Sequence, residues 1–185
     1  MKSPLVLASQ SPRRKKILKH FGVSFRVIKP VEVEEDFIQG ESPQDMVRRL
    51  ALKKALAVSK RKPGSRVLAA DTVVALGSKI FGKPRSRYEA RNMLKTLGGR
   101  GHEVWTGVAL VGPGKRKARV YVERTRVFFK PLTVWDISAY LATREPYDKA
   151  GAYDIQGTAR KWITGWEGSY FNIMGLPVDW VLKQL

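Results

Sequence analysis

Asp71 stands inside Val67-Leu68-Ala69-Ala70-Asp71-Thr72-Val73-Val74, a run that is otherwise apolar apart from Thr72. A carboxylate inside a buried strand is costly unless it is paired, hydrogen-bonded or bound to a metal. Kept there, it can act as a general base, or as an oxygen ligand for a hard cation that polarises water. A strand-end bulge or a structural ion pair would also explain it. Acids are scarce in this chain, 16 Asp+Glu against 35 Lys+Arg, so their clustering at Glu32, Glu34, Glu35 and Asp36 is informative. Glu32 and Glu34 would share one face of a strand, and Glu34 with Asp71 could hold magnesium. The plainer reading of such a run is a solvated loop end.

A second constellation is Ser9-Gln10-Ser11-Pro12-Arg13-Arg14-Lys15-Lys16. With Ser11 as N-cap and Pro12 at N1, Arg13 and Arg14 fall at N2 and N3. Cations in a first turn oppose the helix dipole by about 0.3–1 kcal/mol each unless an anion offsets them. A strand end, a serine-rich turn and free first-turn N–H groups make a natural phosphate site. Ser9 and Arg13 therefore read as binding residues, with Arg14 in support. Lys15, Lys16 and Lys19 read as a solvated helix face.

The third is Gly151-Ala152-Tyr153-Asp154-Ile155-Gln156-Gly157. A Gln amide offers a donor and an acceptor together, and can read a base edge that does the same. An ordinary turn is the competing reading. Gly77-Ser78-Lys79-Ile80-Phe81-Gly82-Lys83 imitates the start of a P-loop, but Pro84 stands where Ser or Thr must hold magnesium. Its context is a hairpin rather than a strand opening a helix. Gly82-Lys83-Pro84 still fixes a lysine in an extended turn.

Composition limits what else is possible. The chain has 185 residues, 43% hydrophobic and 10% aromatic, enough for a sizeable core in one domain or one domain with two lobes. Without cysteine there is no disulfide, thiolate zinc site or thiol nucleophile. Two histidines, His20 and His102, make a His-rich metal centre improbable, so any metal is expected to be oxygen-ligated. A net charge of +19 favours phosphorylated or polyanionic partners. No apolar run approaches the roughly 20 residues of a membrane span, and the expectation is a cytoplasmic protein with no membrane partner.

The elements that must position these residues follow from periodicity and punctuation. A short strand at Pro4–Ala8 precedes a helix from Pro12 that stops at Gly22. Ser24 to Val33 reads as a second strand. Ser42-Pro43-Gln44-Asp45 opens a long helix that ends before Pro63-Gly64. Val67 to Leu76 is a central strand. Ser86 to Leu97 is a helix, and His102–Val111 and Val120–Phe129 are strands joined by a hairpin loop. Thr133-x-x-Asp136 caps a helix to about Leu141. Trp162 to Tyr170 reads as strand–turn–strand, and Leu176-Pro177 opens a short terminal helix. The class is α/β with a mixed sheet.

Several motifs together resemble one family. Leu7-Ala8-Ser9-Gln10-Ser11-Pro12-Arg13-Arg14, Ala70-Asp71-Thr72-Val73-Val74, Gly82-Lys83-Pro84 and Asp148-Lys149-Ala150-Gly151-Ala152-Tyr153-x-Ile155-Gln156-Gly157 are similar to the Maf-like nucleotide pyrophosphatases, also called septum-formation inhibitor homologues. Glu167-Gly168-Ser169-Tyr170 and Met174-Gly175-Leu176-Pro177 extend the likeness. It covers nearly the whole chain, in consistent order. The resemblance implies a single domain over 1–185, with a mixed twisted sheet flanked by helices and two lobes around a central cleft, similar to inosine-triphosphate pyrophosphatases. It implies hydrolysis of nucleoside triphosphates between the α- and β-phosphates with a divalent cation, Mg2+ or Mn2+.

By the same resemblance Asp71, Glu34, Lys54 and Lys83 would be catalytic, with Glu34 and Asp71 holding the metal. Ser9, Arg13, Arg14, Thr72 and Gln156 would bind substrate. The signature resembles the dTTP/UTP subfamily, with modified pyrimidines as further substrates and a house-cleaning role. A homodimer is also implied. Asp154 departs from the signature, which has Gly there. The rival reading is a non-enzymatic, nucleic-acid-binding regulator of cell division, suggested by the charge and by Lys115-Arg116-Lys117.

Overall fold

The computed structural model describes residues 3–29, 38–115 and 118–185. Glu32, Glu34, Glu35, Asp36, Arg116 and Lys117 lie outside the described residues. The elements are β1 (Leu5–Leu7), α1 (Pro12–His20), β2 (Arg26–Val27), α2 (Pro43–Arg61), β3 (Arg66–Leu76), β4 (Lys79–Phe81), α3 (Arg87–Leu97), β5 (Gly101–Val111), β6 (Arg119–Phe129), α4 (Val134–Leu141), β7 (Ile163–Glu167), α5 (Tyr170–Ile173) and α6 (Val178–Gln184). The expected caps form: Ser42, Ser86 and Thr133 accept from Asp45, Glu89 and Asp136 N–H at 3.1, 3.1 and 3.0 Å. Such a cap contributes about 1 kcal/mol. Thr133 and Asp136 complete a reciprocal capping box.

Among the described residues the strands form one mixed seven-stranded sheet, in the order β2-β1-β3-β5-β6-β7, with β4 paired to β3. β1 runs parallel to β2 and β3, whereas β4 and β7 run antiparallel to β3 and β6. β1 pairs with β3 from Arg66 to Leu68, and β4 pairs with it from Val74 to Leu76. Neither register includes the segment that carries Asp71.

Two expectations are corrected. Among the described residues the strand expected over Ser24–Val33 is Arg26–Val27, and residues 30–33 lie outside the described part. It pairs with β1 through Val6 and Leu7, and Ile28 N–H donates to Leu7 O at 3.1 Å. The second strand expected near Tyr170 is the short helix α5. Gly168, at φ +114°, turns the chain out of β7, and Ser169 Oγ accepts from Asn172 N–H at 3.2 Å. The buried Asn172 side chain donates to Val104 O and Thr125 Oγ1 at 3.1 and 2.9 Å, so this segment is an anchored turn.

The chain divides into two compact units. The first comprises Met1–Asp71, Thr106–Glu123 and Gly175–Leu185. Val67 and Ala69 of β3, and Ala109 and Val111 of β5, share a sheet face by their period of two. Together with Val6 and Ala8 they pack against Ala51, Ala55 and Val58 of α2. Gly107 admits that helix: a Cβ there would sit 2.2 Å from the Val47 carbonyl oxygen.

The second unit comprises Thr72–Trp105 and Arg124–Met174. His102, Phe129, Tyr153, Trp162 and Tyr140 form an edge-on aromatic cluster with ring centroids 4.8–6.3 Å apart. No helix among the described residues is long and apolar enough to cross a membrane.

Candidate active site

α2 carries Lys54 to Asp71. Its buried stripe includes Ala51, Ala55 and Val58, and Lys54 lies on the same side by helical period. The Lys54 Nζ donates to Asp71 Oδ1 at 2.5 Å, with the side chains only 13% and 8% exposed. Lys53, its neighbour, is exposed. The helical period therefore chooses between the two lysines, and the buried carboxylate has the countercharge that burial demands.

The turn after β1 is organised from within. Ser9 is buried, and its Oγ accepts from Ser11 N–H and Arg14 Nη1 at 3.2 Å each. Arg14 also donates from Nε to Gly175 O at 2.8 Å. Ser11 Oγ lies 3.5 Å from Arg14 N at the helix start. Arg14 thus ties the turn to the Gly175 backbone, while Arg13 is half-buried beside it on N2. Lys16 and Lys19 are exposed, as expected of a solvated face, and Lys15 is half-buried.

In the second unit, Gly77 and Ser78 join two antiparallel strands, so the P-loop imitation is a hairpin. The turn that follows β4 meets the signature segment: Gly151 N–H donates to Gly82 O at 3.1 Å. Gly151, at φ +68°, also lies over Val74, where a Cβ would come within 2.9 Å of Cγ2. Lys83 is exposed above the buried Pro84, Thr72 is half-buried, and Gln156 is exposed. Ser9, Arg13, Arg14, Lys54 and Asp71 therefore belong to the first unit, and Thr72, Lys83 and Gln156 to the second. Glu34 lies outside the described residues.

Two further residues shape the signature segment. Glu145 accepts from Thr158 N–H at 2.9 Å and from Thr158 Oγ1 at 2.7 Å. Lys149, only 12% exposed, pairs with Asp148 and lies 3.7 Å from Asp154 Oδ2. A lysine within a run of small residues was a readable signal for Lys149. Glu145 offered none, because its partner is 13 residues away.

His102 supports this segment from below, with Nε2 2.9 Å from Tyr153 Oη. Burial lowers its pKa from 6.5 to about 4, against a smaller opposing hydrogen bond to the Arg100 backbone. Between those values the unfolded chain takes up a proton that the folded ring refuses. Stability is therefore unaffected above pH 6.5 and falls as pH drops toward 4, by about 2 kcal/mol at pH 5. Urea denaturation at pH 7 and pH 5 measures this, and His102→Gln should flatten the difference.

Residues 4–185 match the family model described as Maf-like protein. The chain is 48% identical to a dTTP/UTP pyrophosphatase of Symbiobacterium thermophilum, over 98% of this chain and 92% of that protein. It is 45% identical to a dTTP/UTP pyrophosphatase of Bacillus anthracis, over 98% and 93%. It is 44% identical to one of Carboxydothermus hydrogenoformans, over 98% and 96%. Among solved structures, the fold is similar to the Ham1 protein of Staphylococcus aureus, with a TM-score of 0.54 and 15% identity over 98% of this chain and 100% of that one.

Proposed function

The chain belongs to the Maf-like protein family, and from that membership we propose that it is a nucleoside triphosphate pyrophosphatase acting on dTTP and UTP. The observation that carries the reading is the buried Lys54–Asp71 pair. A carboxylate kept in a dry strand by one ammonium is suited to proton transfer and to electrostatic work on a phosphoanhydride. Water attacks the α-phosphorus, the bond to the bridging oxygen breaks, and pyrophosphate leaves. Asp71 takes the proton of the attacking water. Arg13, the turn built on Ser9 and Arg14, Lys54 and Lys83 neutralise the phosphates as charge gathers on the leaving group.

A divalent cation is compatible with these residues. Among the described residues no three His, Cys, Asp or Glu side chains gather as a ligand set. Magnesium commonly needs only one or two protein carboxylates, completing its shell with phosphate oxygens and water. Asp71 would supply one, and Glu34 would be the second by family resemblance. A cation held there would lend positive charge to the phosphate oxygens. Gln156 reads the base: uracil and thymine present an N3–H beside a C4 carbonyl, and one amide satisfies both. Cytosine reverses that pattern, so an amide held in the orientation that suits uracil would meet it donor to donor and acceptor to acceptor.

Pyrophosphate release from a panel of nucleoside triphosphates, with and without Mg2+ or Mn2+, tests the reading. Metal-dependent release that is fastest with UTP and dTTP is expected. Release from none of them would overturn it.

A further inference from the structure

Gln156 is exposed, but the backbone that carries it is tied down. Asp154 Oδ1 accepts from Gln156 N–H at 3.0 Å, a local turn made by the side chain itself. Asp154 O accepts from Gly157 N–H at 3.2 Å. Glu145 holds Thr158 on the far side, and a Cβ on Gly157 would sit 2.2 Å from its Oε2. The Asp154 side chain is 15% exposed, with Lys149 Nζ 3.7 Å from its other oxygen. The buried Tyr140 hydroxyl lies near Glu145 and Asp154: burial first, and then the charge of Glu145, push its ionisation up.

Asp154 is not held at positive φ. Among the described residues the non-glycine in that region is Ala152, at +61°. Backbone geometry therefore does not explain which residue stands at 154. What the aspartate adds is an acceptor for Gln156 N–H, a bond that glycine cannot make.

We propose that Asp154 is a positioning residue for Gln156, fixing the peptide that carries the amide and so sharpening the choice of base. This rests on the pyrimidine reading above. A side chain whose backbone is already ordered loses less freedom on binding. Lys149, which also pairs with Asp148, offsets part of the added charge.

The test compares the full-length wild type with Asp154→Ala and Asp154→Asn, using UTP and CTP as substrates and amide hydrogen exchange at Gln156. Asp154→Ala should raise KM for UTP about tenfold, leave kcat unchanged and cut the UTP/CTP ratio by a similar factor. Exchange at Gln156 should quicken. Asp154→Asn keeps an oxygen acceptor and should stay within about threefold of wild type in all of these, which separates positioning from a general loss of folding. An unchanged ratio in Asp154→Ala alongside faster exchange at Gln156 overturns the inference. So does Asp154→Asn behaving like Asp154→Ala. A wild type that releases no pyrophosphate from any nucleotide overturns the functional reading itself, and this inference with it.

Discussion

Asp71→Asn lowers kcat for UTP by about 10²- to 10⁴-fold, the range for removing a positioned general base, and changes KM much less. The substitution preserves shape, and the amide oxygen can still accept from the Lys54 ammonium, so the bond made at 2.5 Å in the wild type has a neutral replacement. The lost property is the negative charge and its capacity to take a proton. Equal losses in kcat and kcat/KM would mark an interaction made in the transition state. Steady-state pyrophosphate release and a denaturation curve on the same preparation separate the chemical loss from unfolding. Full activity in a folded Asp71→Asn enzyme would remove Asp71 from the mechanism.

Much of this site is legible in sequence because it depends on local rules. Asp71 stands out since a lone carboxylate breaks an apolar strand. Lys54 is named by the family likeness alone, and it is the structure of α2, burying Ala51, Ala55 and Val58, that sets it apart from Lys53. The Ser, Thr and Pro punctuation places four helix starts within a residue of where they occur. What sequence hides is contact at long separation. Arg14 reads as a supporting residue of the phosphate turn, and its Nε also holds a carbonyl 161 residues away. Ser9 reads as an open phosphate ligand, but its hydroxyl already serves Ser11 and Arg14. Trp162 to Tyr170 reads as strand–turn–strand, but its end is the capped helical turn of Ser169–Asn172. That turn is stabilised by Thr125, which lies on β6. For Arg14 and for the Ser169–Asn172 turn the deciding partner lies outside any local window, whereas the partners of Ser9 are near in sequence and only the folded side-chain geometry brings them onto its hydroxyl.

Lys54→Met destabilises the protein by about 3 kcal/mol, the low end of the range for breaking a buried ion pair, since both side chains keep some exposure. Most of that loss is the cost of stranding the Asp71 charge without its partner. The double variant Lys54→Met/Asp71→Asn strands no charge and should regain more than half of it. Urea denaturation of wild type, both single variants and the double variant gives the coupling energy directly. Activity behaves otherwise. The double variant stays as inactive as Asp71→Asn, because recovered stability restores neither the base nor the cation. Stability and turnover therefore part in the double variant. That divergence separates an ion pair kept for the reaction from one kept for the fold, since a purely structural pair would let activity return with stability. If Lys54→Met lies within 1 kcal/mol of wild type, by comparison with exposed pairs, Lys54 is not what makes the Asp71 carboxylate tolerable in β3.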